Sequence, residues 1–157
     1  MPNWVMCDLV VTGPRKELDE FKDFIKGTNE EGDEKVFDFN KVIPYPEEFK
    51  QPDLDTGFNN GGYEWCCKNW GTKWNTSDAD LNERDDELIY TFDTAWSPPN
   101  PVIHKLGDLF PKLNFNLTYT EPGDGFKGEL DIRQGKVYND VASDYEDDDR
   151  KEWGLED

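Results

Sequence analysis

Apolar positions change their period several times along the chain, and each change marks an element. From Asn3 to Thr12 the β-formers Trp4, Val5, Leu9, Val10 and Val11 predict a strand. Gly13-Pro14 breaks it and opens a helix, because proline's missing N–H is not needed in a first turn. Leu18, Phe21, Phe24 and Ile25 then recur three and four apart. Arg15 to Lys26 is therefore predicted as a helix with one apolar face, stopped at Gly27. Val36-Phe37-Asp38-Phe39-Asn40 alternates as a short strand or extended segment. Val42-Ile43-Pro44-Tyr45-Pro46 continues it, with prolines that exclude a central strand position. Residues Gln51 to Gly62 form a long polar connection.

The second half begins with the densest aromatic segment, Tyr63 to Trp74, whose first part reads as a short helix or turn. Asn75 to Leu81 and Glu87 to Thr94 read as a strand hairpin, the second carrying Leu88, Tyr90 and Phe92 in alternation. Ser97 is a candidate N-cap for a second helix. Its apolar face is Val102, Ile103, Leu106, Leu109 and Phe110, and Pro111 closes it. Leu113 to Thr120 and Phe126 to Arg133 form a second hairpin about the turn Glu121–Gly125, and Lys136 to Asn139 adds a short extension. Strand, helix, hairpin, helix, hairpin is the order of an α+β domain. It predicts a ferredoxin-like split βαβ fold, an antiparallel sheet with two helices on one face.

Charge then changes the picture. The chain of 157 residues carries 36 acidic and 17 basic side chains, a net charge of −19. Residues 140–157 hold nine acidic and two basic side chains, or −7, which leaves −12 for residues 1–139. The division is thus a domain over 1–139 and an acidic C-terminal tail over 140–157. Binding to DNA or RNA draws its affinity from Lys and Arg displacing counterions, so direct nucleic-acid binding is not expected, nor is an anionic membrane surface. No stretch approaches the roughly 18 apolar residues of a membrane span. The favoured partner is a basic protein, including one that itself binds nucleic acid. Plain solubility accounts for the same charge.

The chemistry-bearing residues are few. Cys7, Cys66 and Cys67 are odd in number and two are adjacent, which fits reduced thiols in a cytoplasmic setting rather than a disulfide framework. Adjacent Cys66 and Cys67 lack the spacing that lets two thiolates converge on zinc, and His104 is the one histidine. No metal, cofactor or catalytic residue is assigned.

Several stretches together resemble one family. They are Pro2-Asn3-Trp4, Phe37-Asp38-Phe39-Asn40-Lys41-Val42-Ile43-Pro44, Asn69-Trp70-Gly71-Thr72-Lys73-Trp74, Thr94-Ala95-Trp96-Ser97-Pro98-Pro99, Phe110-Pro111 and Tyr119-Thr120-Glu121-Pro122-Gly123. Their order is similar to that of the YubB-type ferredoxin-like domains of phages, plasmids and other mobile elements. It spans roughly residues 1 to 135, with the acidic tail outside it. The resemblance implies the fold without an iron–sulfur cluster, and no particular reaction. Relatives often read Pro-Asn-Trp-Cys-x-Asn where this chain has Val5 and Cys7, so no role of those positions carries over.

Two readings of function follow. The first is a non-enzymatic interaction protein, acting in the host cytoplasm. Its carboxylates would occupy the basic nucleic-acid-binding surface of a host protein, such as a CRISPR or restriction complex. Asp140, Asp144, Glu146, Asp147, Asp148, Asp149 and Trp153 are its candidate contacts. The second is a small-ligand or enzymatic pocket built from Asn69, Trp70, Lys73, Trp74, Asp93 and Trp96. Against it stands the plainer reading that these rings fill the core and that Asn-Trp-Gly-Thr is a turn bonded to backbone.

Overall fold

The first strand decides the architecture. In β1 (Trp4–Thr12) Val5, Cys7, Leu9 and Val11 are buried, while Trp4, Met6, Asp8, Val10 and Thr12 between them are only partly covered. Alternate side chains of a strand point to opposite faces, so one face of β1 takes the core and the other is left open. The computed structural model describes residues 3–28, 31–46 and 62–144.

After β1 come α1 (Arg15–Ile25), β2 (Gly27–Thr28), β3 (Glu34–Lys35), α2 (Phe39–Val42) and α3 (Gly62–Asn69). Then follow β4 (Ser77–Glu83), β5 (Glu87–Ala95), α4 (Asn100–Leu109), β6 (Asn114–Glu121), β7 (Phe126–Arg133) and β8 (Lys136–Asp144). The main sheet has the order β4-β5-β1-β6-β7-β8, every neighbour antiparallel, and β2-β3 is a small separate ribbon. Within it, β1-α1-β4-β5-α4-β6 is the ferredoxin-like unit, and β7 and β8 extend it by two hairpins.

The helices share the buried side. Leu18, Phe21 and Ile25 of α1 and Val102, Ile103, Leu106 and Gly107 of α4 are buried. Phe21 is the hinge of the packing, edge-on to Tyr90, Phe110 and Phe115 at centroid distances of 6.0, 5.3 and 5.4 Å. Such edge-to-face contacts add to what area burial alone supplies. Tyr90 is fully buried, and its hydroxyl has no hydrogen-bond partner among the described residues.

Three local expectations are corrected. Val36–Asn40 is no strand. Asp38 instead caps α2, its Oδ1 accepting from Asn40 N at 3.0 Å and from Asn75 Nδ2 at 2.8 Å. Asn75 Oδ1 accepts from Phe39 N, and Thr76 Oγ1 donates to Phe37 O at 2.7 Å. With its peptide groups satisfied by side chains, the segment turns and buries both Phe37 and Phe39. Ser97 does not cap α4. That position falls to Pro99, and Ser97 Oγ donates to Gly71 O. The extension after β7 is a nine-residue strand ending at Asp144, so the sheet runs five residues past the 139/140 boundary.

Asp38→Ala removes both the cap and the acceptor of Asn75. It is expected to lower unfolding free energy by about 2 kcal/mol in a urea titration. Asp38→Asn keeps an Oδ1 acceptor and is expected to lose much less. Equal losses in the two variants would contradict this role.

Candidate interaction surface

The open face of the sheet is assembled by register. One row crosses all six strands as Asp80, Thr91, Asp8, Thr118, Glu129 and Val141. Strands lie about 4.8 Å apart, so the carboxylates of Asp80, Asp8 and Glu129 recur about every 10 Å across the sheet. The adjacent row toward Trp4 holds Ser77, Asp93, Met6, Lys127 and Ser143, with Thr120 in the same row fully buried. The row on the other side contributes Asp131, opposite Asn116 and Asn139.

These carboxylates are not equivalent. Glu129 accepts from Asn116 Nδ2 at 3.2 Å and from Asn139 Nδ2 at 2.5 Å. Asp131 pairs with Arg133 at 2.9 Å. Asp8 and Asp93 have neither a hydrogen-bond donor nor a cation among the described residues. Burial raises the carboxyl of Asp8 above its ordinary value. Asp93 is raised first by burial and then by the negative charge of Asp78, whose φ of 51° turns it at the bulge between Ser77 and Asp80. A half-covered carboxylate with no compensating charge opposes its own ionisation.

An aromatic pair sits at the Trp4 end of the face. Trp4 and Trp74 lie 6.1 Å apart, Trp74 is exposed, and Lys73 Nζ stands 4.6 Å over its ring. An arginine or lysine is the natural companion of such rings. Sheets of this class that bind RNA stack bases on aromatics of the central strands. Here Asp8 occupies the middle of β1, and Asp93 lies on β5 opposite Met6.

The residues singled out for a ligand pocket divide between the core and the open face. Trp70 is a core ring, 4% exposed, with Nε1 donating to Ile43 O at 2.9 Å and its faces against Phe39, Tyr45 and Trp65. Asn69 Nδ2 donates to Trp65 O at 3.0 Å and Thr72 Oγ1 to Ala95 O at 2.6 Å, so the Asn-Trp-Gly-Thr turn is bonded to backbone. Gly71 supplies the positive φ of 80° that this turn requires. Lys73 and Trp74 lie together, Asp93 belongs to the open sheet face, and Trp96 is exposed. Asp140 and Asp144 are exposed on β8. Glu146, Asp147, Asp148, Asp149 and Trp153 lie outside the described residues. Asp8, Asp80, Glu129 and Asp131 went unmarked in the sequence. The signal present there was the alternation Trp4-Met6-Asp8-Val10 against Val5-Cys7-Leu9-Val11.

Cys7 and Cys66 are buried, and Cys67 is exposed. Cys7 Sγ lies 3.7 Å from Thr94 Oγ1, and burial pushes its pKa up. Burial, and then the neighbouring Cys67, push Cys66 up to about 12. Among the described residues no three His, Cys, Asp or Glu side chains gather as metal ligands. No helix among them is long and apolar enough to cross a membrane.

Fold and surface together define a ferredoxin-like α+β domain with an open, acidic sheet face. The chain belongs to the family described as the ferredoxin-like domain in Api92-like protein, whose model matches residues 69–157. The match runs through the acidic tail, which the sequence resemblance had placed outside its family pattern. The crystal structure of protein api92 from Yersinia pseudotuberculosis superposes with a TM-score of 0.69, covering 93% of this chain and 99% of that one. The two are 11% identical, so the likeness is one of fold. No curated protein matches the chain.

Asp8 gives a test of this electrostatic account. Its carboxyl is raised above 3.8 by burial, so the folded state holds the proton more tightly than the unfolded chain does. Its contribution is therefore fully present below the unfolded pKa and is lost as pH rises through the folded one. Ionised Asp8 opposes folding at neutral pH. Asp8→Asn is expected to raise the thermal midpoint near neutral pH, with the gain vanishing well below 3.8. A lower midpoint at neutral pH would contradict it.

Proposed function

We propose that this chain is a YubB-type domain of a phage, plasmid or other mobile element, working as a non-enzymatic acidic interaction protein. In the host cytoplasm it occupies the basic nucleic-acid-binding surface of a host protein, such as a CRISPR or restriction complex. The observation that carries this reading is the pair Asp8 and Asp93, half-covered carboxylates on neighbouring strands of the open sheet face with no cation beside them among the described residues. A partner's Lys or Arg supplies the missing charge and removes the penalty of ionising them. The rest of the face supports the same partner. Asp80 and Glu129 continue the row of carboxylates, and Trp4 and Trp74 offer rings on which a guanidinium stacks. Duplex DNA presents about one negative charge per 1.7 Å of axis, so a partner built for DNA meets a familiar field here. The net charge of −19 steers the encounter.

The test is capture from nuclease-treated host lysate by the tagged chain, in parallel with the double variant Asp8→Lys, Asp93→Lys. The expected result is a nucleic-acid-binding protein released by added duplex DNA and by salt. Its recovery should fall about tenfold or more with the variant, as loss of charge pairs at an interface requires. Capture that resists salt and DNA, or that the variant leaves unchanged, would overturn the reading.

A further inference from the structure

The outer strand β8 is exposed at eight of its nine residues, Asn139 alone being partly covered. It closes the six-stranded sheet, and among the described residues no strand pairs its outer side. An edge of this kind presents free N–H and C=O groups to any extended chain. The opposite edge, β4, is shielded. A bulge interrupts it between Ser77 and Asp80, and Asp78 there adopts a φ of 51°. In β8 the irregularity falls at Tyr138, and from Asn139 to Asp144 the pairing with β7 is continuous. That regular stretch holds neither proline nor lysine. Val137, Tyr138 and Val141 make up three of the seven large apolar side chains that are exposed among the described residues. Among the described residues, exposed apolar groups are thus concentrated on β8, with Val141 inside its regular stretch.

Charge selects what adds to it. Asp140 and Asp144 are four residues apart, so they project to the same side, while Val141 projects to the other. A second copy is a poor occupant. Pairing β8 with itself about Ala142 sets Asp140 against Asp144 of the other copy, and pairing about Asp140 sets that residue against itself and reaches its two Lys136–Asp144 pairs only across the irregular Tyr138. The register matching Lys136 with Asp140 shortens the ladder to five residues centred on the irregular Tyr138. Like charges directly opposite destabilise a strand pair. The chain's own residues 145–157 carry seven acidic and two basic side chains, a charge of the same sign as that of Asp140 and Asp144.

We propose that the outer edge of β8 takes up an extended basic segment of the partner as a further strand. The segment carries Lys or Arg opposite Asp140 and Asp144 and an apolar residue opposite Val141. This rests on the reading that the partner is basic, and adds how it is held. Main-chain hydrogen bonds supply affinity, and alternate side chains supply selection. In antiparallel order the matching pattern is cation, two intervening residues, apolar, cation.

The probe is the capped heptapeptide TKVTVKT, compared with the same peptide N-methylated on the backbone amides of alternate residues in each of the two phases. Binding to the full chain is followed by NMR with amide hydrogen exchange. The expected result is slowed exchange of amides within Asn139–Asp144, lost on N-methylation in one of the two phases. The double variant Asp140→Lys, Asp144→Lys should weaken binding about tenfold. Undiminished binding by both N-methylated peptides would overturn strand addition while leaving the acidic-face reading intact. Slowed exchange along the whole edge without peptide would overturn it in favour of residues 145–157, and slowing that grows with protein concentration in favour of a second copy. Peptide uptake on β8, joined to host capture that ignores charge reversal at Asp8 and Asp93, would sustain the edge and overturn the reading it rests on.

Discussion

Everything in this fold turns on the alternation along β1. Its odd-numbered side chains, Val5, Cys7, Leu9 and Val11, are buried with those of α1 and α4, and its even-numbered ones, Trp4 to Thr12, are left facing outward. A shift of one residue would exchange the faces and drive Asp8 into the core. Because β1 lies between β5 and β6, it also fixes which residues of those strands share each face. The same register that seats Phe92 and Tyr119 beside Cys7 gathers Asp8, Asp93 and Asp80 on the other side. Core and candidate surface are two consequences of one constraint.

Proteins retain groups that work against their own stability where a function requires them. Asp8 and Asp93 fit that description, since each is driven toward its neutral form by partial burial. Glu83 offers a contrast on the helical side. It is held below the ordinary range, first by Lys22 and then by Arg15, with Arg15 Nη2 at 2.6 Å. The chain therefore has basic side chains to spend on carboxylates, and spends them beside the helices rather than on the middle of the sheet.

Much of this was readable from local pattern. The helical spacing of Leu18, Phe21 and Ile25 and the alternation of Leu88, Tyr90 and Phe92 each report on a single element, so α1 and β5 were found. The order of elements then implied the ferredoxin-like sheet. Segments governed by distant partners were not found this way. Val36–Asn40 alternates like a strand, but Asn75 and Thr76, far along the chain, take its peptide groups. The length of β8 was hidden by its acidic residues, which resemble the tail that follows. The acidic row was hidden for a deeper reason. Asp8, Asp80 and Glu129 belong to three strands that do not touch one another, and only register across β5 and β6 makes them neighbours.

The central claim is that the open face holds ionised carboxylates left uncompensated. The most direct measurement is the titration of the Asp8 and Asp93 side-chain carboxyl carbons by NMR in the free protein. The account predicts that both titrate above the ordinary value of 3.8, while Glu83 titrates below its ordinary 4.5. Midpoints for Asp8 and Asp93 at or below 3.8 would mean that their charge is already satisfied within the chain, and the case for a basic partner on this face would fail.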